Sequence, residues 1–203
     1  MEMLNSEGDN GLWWGGKSGI MYYYPLDGSS KTITVDFSGD EYKMESDVLN
    51  MISNSRYYLA GHDVSNIATT AMYIYERTNT GYNNGRYDTS RPYYWDGKVA
   101  LMYPSDYGYS AGEACATKTD LFEYYNGCGN TFLLIFYGGE WILSPDSRTS
   151  HYSFDINGSG MVNTVRYRYT YLGRSVRPVF YLTPDVIITG GTGEESNPYQ
   201  VSR

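Results

Sequence analysis

The sequence has little of what most enzyme active sites and metal centres require. It contains two cysteines and two histidines, and neither His62 nor His151 belongs to a motif that would place a base beside a nucleophile. The metalloprotease pattern H-E-x-x-H is absent from the sequence. We therefore expect no enzymatic activity, no metal site and no cofactor.

Positive charge is also scarce, because 15 Lys and Arg residues face 23 Asp and Glu residues and give a net charge of -8 at pH 7. Nucleic acids and anionic membrane surfaces both select for clustered Lys and Arg. We therefore expect no nucleic-acid partner. The arginines between 166 and 177 are a local exception to this acidic balance.

The sequence lacks an apolar stretch of the ~20 residues that a membrane-spanning helix needs. Its longest apolar run, "TFLLIFY" at Thr131–Tyr137, has the length of a buried strand. The first residues, "MEMLNSEGDNGLWW", have neither the basic region nor the apolar region of a secretory leader. We expect no direct membrane insertion, and we expect an exported form of the chain to have lost its leader.

Cys115 and Cys128 are separated by twelve residues and do not have the C-x-x-C spacing of zinc or redox sites. This spacing favours a disulfide that closes a short loop, which would indicate an extracellular or cell-surface location. Two buried free thiols are the alternative interpretation.

Tyrosine is abundant, with 24 Tyr against 6 Phe, and the chain also contains 23 Gly. A tyrosine offers a large, rigid contact area with a polar tip, so this composition favours β-structure and binding surfaces. The alternative is a Tyr-rich β-protein that has no binding site.

The order of patterns predicts a single α+β domain over residues 1–203, with mainly antiparallel strands and two short helices. Residues 1–43 form an N-terminal annex, in which Gly19–Phe37 reads as two strands joined by a turn at Asp27–Ser30. Further along, we predict helices over 44–56 and 118–125, a loop over 78–91, and strands over 56–62, 98–102, 141–144, 151–156, 161–169, 176–182 and 185–189. The Asn157-Gly158 pair between two of these strands predicts a hairpin turn.

Two short motifs resemble functional sites but have simpler interpretations. "DINGSG" at Asp155–Gly160 matches the first half of a calcium-binding loop, but Arg166 occupies the position of the bidentate Glu, so a hairpin turn explains it better. Ser105 and Asp106, in "YPSDYGYS", form a pair that could be catalytic. A turn that is capped by Asp106 and packed by the neighbouring tyrosines accounts for them better.

Four blocks of sequence run in order from about Arg56 to Tyr199: "SRYYLAGH", "SRPYYWDGKVALMYPSDYGYS", "EWILSPDS" and "SVRPVFYLTPDVIITGGTGEESNPY". Together they resemble a family of bacterial surface and pilin-associated domains with a C-type lectin-like fold. The last two blocks are also similar to the C-terminal part of formylglycine-generating-enzyme-type C-type lectin domains. Diversity-generating retroelements use such domains as scaffolds for hypervariable binding proteins.

This resemblance implies that Trp141 is a core anchor, that Arg177 and the following "PVFYL" form a closing core strand, and that residues 141–182 are a candidate variable region. It implies display on a cell surface and a protein or glycan ligand on another cell or on a phage or host surface. The sugar-binding signatures E-P-N and W-N-D are absent, so calcium-mediated lectin activity is not implied.

Retroelement mutagenesis of AAC codons produces NNC codons, which encode no Lys, Glu, Gln, Met or Trp. These five residue types occupy 24 of the 143 positions from Met1 to Leu143 but only one of the 50 positions from Ser144 to Gly193, where Met161 is the single example. The depletion agrees with diversification of this region, although β-strands also disfavour Glu and Lys.

The candidate ligand-binding face lies between Arg148 and Tyr171. If 147–156 and 162–171 pair as a hairpin, alternation directs Phe154 and Ile156 inward and Ser153 and Asp155 outward. On the second strand, either the tyrosine row or the arginine row could line the site. The predicted ligand-binding residues are Arg148, Ser150, His151, Ser153, Asp155, Arg166, Tyr167, Arg168, Tyr169 and Tyr171.

Three functions are consistent with these features. The first is an adhesin-like binding domain whose hairpin is diversified by a retroelement. The second is a structural subunit of a pilus or other surface appendage, in which the tyrosines pack against neighbouring subunits. The third is an enzyme related to formylglycine-generating enzymes, whose chemistry uses a cooperating cysteine pair.

Overall fold

The computed structural model of the 203-residue chain describes residues 18–23, 31–36, 44–59, 62, 68–77, 93–110, 120–124, 139–146, 153–157, 162–163 and 175–203. Three α-helices lie among these residues: α1 (Ser46–Met51), α2 (Thr69–Glu76) and α3 (Pro104–Ser110). A 3₁₀ turn covers Leu121–Glu123. The strands are β1 (Ser18–Tyr23), β2 (Lys31–Asp36), β3 (Ser55–Tyr58), β4 (Tyr94–Gly97), β5 (Ala100–Leu101), β6 (Glu140–Pro145), β7 (Ser153–Ile156), β8 (Val162–Asn163), β9 (Ser175–Val176), β10 (Pro178–Val179), β11 (Ile187–Gly190) and β12 (Gln200–Ser202).

The strands form small sheets, of which the largest has four strands in the order β8-β7-β6-β9. In this sheet β6 runs antiparallel to β7 and parallel to β9. The remaining strands pair two by two and antiparallel, as β1–β2, β3–β4, β5–β10 and β11–β12. The predicted α+β class with mainly antiparallel strands is therefore confirmed.

Strand β6 lies between two apolar clusters. Its Ile142 packs with Phe154 and Ile156 of β7 in a cluster that also includes Met72, Met102, Tyr107, Leu121 and Tyr124. Its Leu143 points to the other side and packs with Tyr57, Ala100 and Tyr103. Because both faces of β6 are covered, its sequence "EWILSP" does not show the alternation of a strand with one face in water.

The closing strand that the resemblance implied is shorter than "PVFYL". Strand β10 covers only Pro178–Val179, and Val179 packs against both apolar clusters. Phe180, Tyr181 and Leu182 are exposed, so their prediction as core residues is wrong. Trp141, the implied core anchor, is half-buried.

Several local predictions are confirmed, including the β1–β2 hairpin, helix α1, strand β3 and the β7–β8 pair around Asn157. Helix α2 was not predicted, and α3 lies where we expected a turn. Within the predicted helix over 118–125, the described part forms only the 3₁₀ turn. The turn at 27–30, the loop at 78–91 and the run at 131–137 lie outside the described residues.

No helix in the described part of the chain is both long enough and apolar enough to cross a membrane.

Candidate functional site

The described root of the candidate hairpin is the β7–β8 pair. Asp155 lies opposite Asn163 and Ile156 lies opposite Val162 in an antiparallel register. On its other edge β7 pairs with β6, so β7 is an interior strand of the four-stranded sheet. The Tyr/Arg-rich segment, which we define as residues 164–171, follows β8 directly in the sequence.

The structure describes two of the ten predicted ligand-binding residues. Ser153 is half-buried, and its hydroxyl donates a hydrogen bond of 3.1 Å to the backbone carbonyl of Ser144. Asp155 has 0% of its surface exposed, so its prediction as an outward-facing residue is wrong. It lies opposite Trp141 of β6 and opposite Asn163 of β8, so strands on both edges of β7 reduce its contact with water.

The other eight predicted ligand-binding residues and the two cysteines lie outside the described residues. They are Arg148, Ser150, His151, Arg166, Tyr167, Arg168, Tyr169, Tyr171, Cys115 and Cys128.

His62 is a core residue rather than a surface base. Its side chain is fully buried, and its ring lies edge-on to Tyr75 and Phe154, with centroid distances of 5.3 and 6.4 Å. Its backbone N–H donates to the carbonyl of Pro145 at 3.1 Å. These contacts assign His62 a packing role at the end of β6.

A buried ion pair joins β6 to the residue that follows β9. Nη2 of Arg177 lies 3.2 Å from Oε2 of Glu140, whose side chain is almost completely buried. Burial raises the pKa of the Glu140 carboxyl, and the nearby charge of Arg177 opposes that rise. Arg177 therefore compensates a carboxylate that would otherwise be costly to bury.

Helix α3 begins with an unusual set of hydrogen bonds. Pro104 occupies the first helical position, where proline is favoured, and the carboxylate of Asp106 accepts a 3.1 Å bond from the backbone N–H of Tyr103. This bond is one half of a capping box. The side chain of Tyr103 does not supply the other half, because its hydroxyl donates to the carbonyl of Tyr58 at 2.9 Å.

Glu76, the last residue of α2, supplies the missing acceptor. Its carboxylate accepts bonds from the backbone N–H of Ser105, at 3.2 and 3.3 Å, and from the Ser105 hydroxyl. Arg77 follows Glu76 and forms ion pairs with Glu76 at 3.4 Å and with Asp106 at 2.5 Å. Burial raises the pKa of Glu76 to about 7, although the Ser105 hydrogen bond and the Arg77 charge oppose the rise.

The hydrogen bonds at the start of α3 give the Ser105–Asp106 pair a structural role. Ser105 is fully buried and donates its hydroxyl proton to Glu76, while Asp106 caps the same helix. Both residues thus hold α3 against α2. The expected capping by Asp106 is confirmed, but the element that it caps is a helix.

A second Tyr/Arg group lies on the outer face of the β3–β4 pair. Arg56 donates through Nε and Nη2 to the two carboxylate oxygens of Asp96, each at 2.8 Å. The guanidinium also stacks 3.9 Å above the ring of Tyr94. The hydrogen bond from Arg56 lowers the pKa of Asp96. Arg56 and Asp96 are exposed and Tyr94 is half-buried, and the sequence blocks gave no indication that these three residues would meet.

Within the described residues, no group of three or more His, Cys, Asp or Glu side chains is arranged to hold a metal ion. Comparison of the chain with protein-family models, with curated proteins and with solved structures finds no match.

Proposed function

We propose that the chain is a ligand-binding domain of C-type lectin-like fold, displayed on a cell surface, whose Tyr/Arg-rich segment contacts a protein or glycan ligand. One observation supports the proposal most strongly. The segment continues from β8, and β8 is paired with β7, whose Phe154 and Ile156 are buried in the core. A segment attached to such a root can vary in sequence without changing the residues that stabilise the fold.

The chemistry of the segment supports the same proposal. Tyr and Arg are the residue types that most often dominate binding energy, because they bury a large area and form hydrogen bonds. Tyrosine also has only two side-chain torsions to fix on binding. A segment with three tyrosines and two arginines in six positions, Arg166 to Tyr171, is therefore suited to recognition.

The hairpin residues that we propose for the ligand are Arg148, Ser150, His151, Arg166, Tyr167, Arg168, Tyr169 and Tyr171. Asp155 is buried and the hydroxyl of Ser153 bonds within the sheet. We therefore assign both residues to stabilising the base of the hairpin and not to ligand binding. Replacing Tyr167, Arg168, Tyr169 and Tyr171 together by Ala is expected to preserve the far-ultraviolet circular dichroism spectrum and to abolish binding. Unchanged affinity would contradict the assignment.

A protein and glycan array probed with the chain identifies the ligand and separates two functions. A ligand-binding domain is expected to retain specific glycans or proteins other than itself. A structural subunit of an appendage is expected to bind only copies of its own assembly. Exclusive self-binding would therefore contradict the proposed function.

We also propose that a diversity-generating retroelement rewrites the coding region for Trp141 to Leu182. The proposal predicts a reverse transcriptase gene close by, together with a near-repeat of that coding region that differs at adenines. Sequencing of the gene neighbourhood tests it, and a neighbourhood without either element would contradict it.

A further inference from the structure

The charge of the candidate variable region is opposite to that of the rest of the chain. Residues 141–182 contain five arginines and two aspartates, and they contain no Lys or Glu. The other residues of the chain contain 10 Lys and Arg against 21 Asp and Glu, which gives them a net charge of -11. A positive region within an acidic chain indicates a partner whose negative charge is concentrated where it meets that region.

The fold removes both negative charges of this region from its surface. Asp146, which follows β6 directly, and Asp155 of β7 are both buried. These two residues are the only carboxylates in the sequence of the region. Residues 141–182 therefore offer no exposed carboxylate that would repel an anionic ligand.

One of the five arginines of the region has a role within the fold. Nη2 of Arg177 pairs with the buried carboxylate of Glu140 at 3.2 Å. Loss of Arg177 would leave that carboxylate buried without compensation, so we assign Arg177 to the fold and not to the ligand. The other four arginines of the region are Arg148, Arg166, Arg168 and Arg174.

The chemistry of arginine defines the kind of group that these side chains bind. A guanidinium group presents its N–H donors in a planar fork and stays charged at physiological pH. The fork matches the oxygens of a carboxylate or a sulfate, to which it donates two parallel hydrogen bonds. Tyr167 and Tyr169 flank Arg168 in the sequence, and a tyrosine ring offers a flat apolar face with a polar tip. An acidic sugar needs both kinds of contact, because it combines an anionic group with apolar C–H faces and hydroxyls.

The acidic remainder of the chain limits the size of the partner. At physiological ionic strength exposed charges act over about 8 Å, so a single acidic sugar bound to this region is affected mainly by the arginines. A nucleic acid or a broad acidic protein surface extends further and meets the carboxylates of the rest of the chain. Exposed examples in the described part are Glu45, Asp47, Glu123, Glu194 and Glu195. The charge distribution therefore favours a glycan with a local acidic group over an extended polyanion.

We propose that the ligand of the Tyr/Arg-rich segment is a glycan with an acidic sugar, whose carboxylate or sulfate is bound by Arg166 and Arg168. Arg148 and Arg174 add to the positive charge of the same region. This inference rests on the proposed function, because it assigns a chemical class to the ligand of that site.

Titration calorimetry of the full chain with matched pairs of sugars tests the proposal. The pairs are sialyllactose with lactose, glucuronic acid with glucose, and galactose sulfate with galactose. At least one acidic member is expected to bind at least ~10-fold more tightly than its neutral counterpart, because hydrogen bonds to a charged acceptor are roughly twice as strong as neutral ones. Raising the NaCl concentration from about 0.05 M to about 0.5 M is expected to weaken that binding, since salt screens exposed charges.

Two double variants and one control locate the interaction. Arg166→Gln/Arg168→Gln is expected to remove the preference for the acidic sugar. Arg166→Lys/Arg168→Lys is expected to keep part of the preference, because Lys retains the charge but not the fork. The control is Arg56→Gln, at an exposed arginine of β3 that pairs with Asp96, and it is expected to leave the preference unchanged. Should the Gln double variant fail to fold, Arg148→Gln and the salt dependence of the wild type decide instead.

Three results would overturn the proposal: no difference between the acidic and neutral members of any pair, an acidic preference that persists in the Gln double variant, or tighter binding of duplex DNA or an acidic protein than of any acidic sugar. The failure of the proposed function looks different. If a neutral ligand from the array is lost in Tyr167→Ala/Arg168→Ala, the proposed function stands and only the acidic sugar is wrong. If the chain retains nothing except copies of itself, both proposals are wrong.

Discussion

Glu76 is expected to make the free energy of unfolding fall as the pH rises. Burial raises the pKa of its carboxyl from 4.5 to about 7. Between these two values the folded chain holds a proton that the unfolded chain has released, so the stabilisation is complete below pH 4.5 and is lost as the pH rises through about 7. One pKa unit corresponds to about 1.4 kcal/mol, so the total loss approaches about 3 kcal/mol.

The variant Glu76→Gln isolates this effect. The amide oxygen still accepts a hydrogen bond from Ser105, but the side chain does not ionise. Urea unfolding of both proteins from about pH 4 to about pH 8 is expected to show that their difference in unfolding free energy changes by about 3 kcal/mol in favour of the variant. Glu195→Gln, at an exposed position, controls for the loss of one carboxylate.

Parallel pH curves for the wild type and Glu76→Gln would refute the reasoning, because they would mean that the carboxyl of Glu76 has the same affinity for protons in the folded and unfolded chains.

Two further predictions concern the core. Phe154→Ala is expected to lower the free energy of unfolding by about 3–5 kcal/mol, because it leaves a cavity in the larger apolar cluster; a loss below about 1 kcal/mol in urea unfolding would argue against its burial. Gly108→Ala places a Cβ 2.6 Å from Oγ1 of Thr69 and 2.7 Å from Cδ2 of Leu121. This substitution is expected to lower the free energy of unfolding by about 1–3 kcal/mol despite the better helix propensity of Ala. A raised melting temperature would contradict the close approach of α2 and α3.

The elements that were predicted correctly are those whose sequence pattern lies within a few neighbouring residues. The Asn157-Gly158 pair between alternating segments predicted that these segments pair, and Ile156 lies opposite Val162 in the structure. Helix α1 follows from the spacing of its apolar residues. In both cases a window of a few residues contains the whole signal, and the neighbouring structure does not change it.

The two missed helices depend on contacts between distant residues. Helix α2, "TTAMYIYE", is rich in β-branched and aromatic residues that favour strands, and its buried Met72 and Glu76 are defined by packing. In α3, Pro104 and Asp106 are start signals that the sequence does contain, but the preference of Ser and Asp for local backbone bonds favoured a turn packed by the neighbouring tyrosines. Only the structure shows that Gly108 permits close approach to α2.

The candidate site was predicted less completely, for related reasons. Alternation placed Asp155 outward because it assumes that one face of a strand is in water, whereas β7 is an interior strand whose Asp155 side is also covered. The bond between Glu76 and Ser105 joins residues 29 positions apart, and no pattern in the sequence indicates it. The identity of the Tyr/Arg-rich segment, by contrast, comes entirely from the sequence.

The most direct measurement of the proposed function compares two Tyr/Arg groups in the same chain. It is the dissociation constant, by titration calorimetry, of a ligand from the array for Tyr167→Ala/Arg168→Ala and for the control Arg56→Ala/Tyr94→Ala. Loss of two hot-spot residues is expected to weaken binding by at least ~30-fold in the first variant, with no change in the control. Equal affinities for both variants, or a loss confined to the control, would contradict recognition by the Tyr/Arg-rich segment.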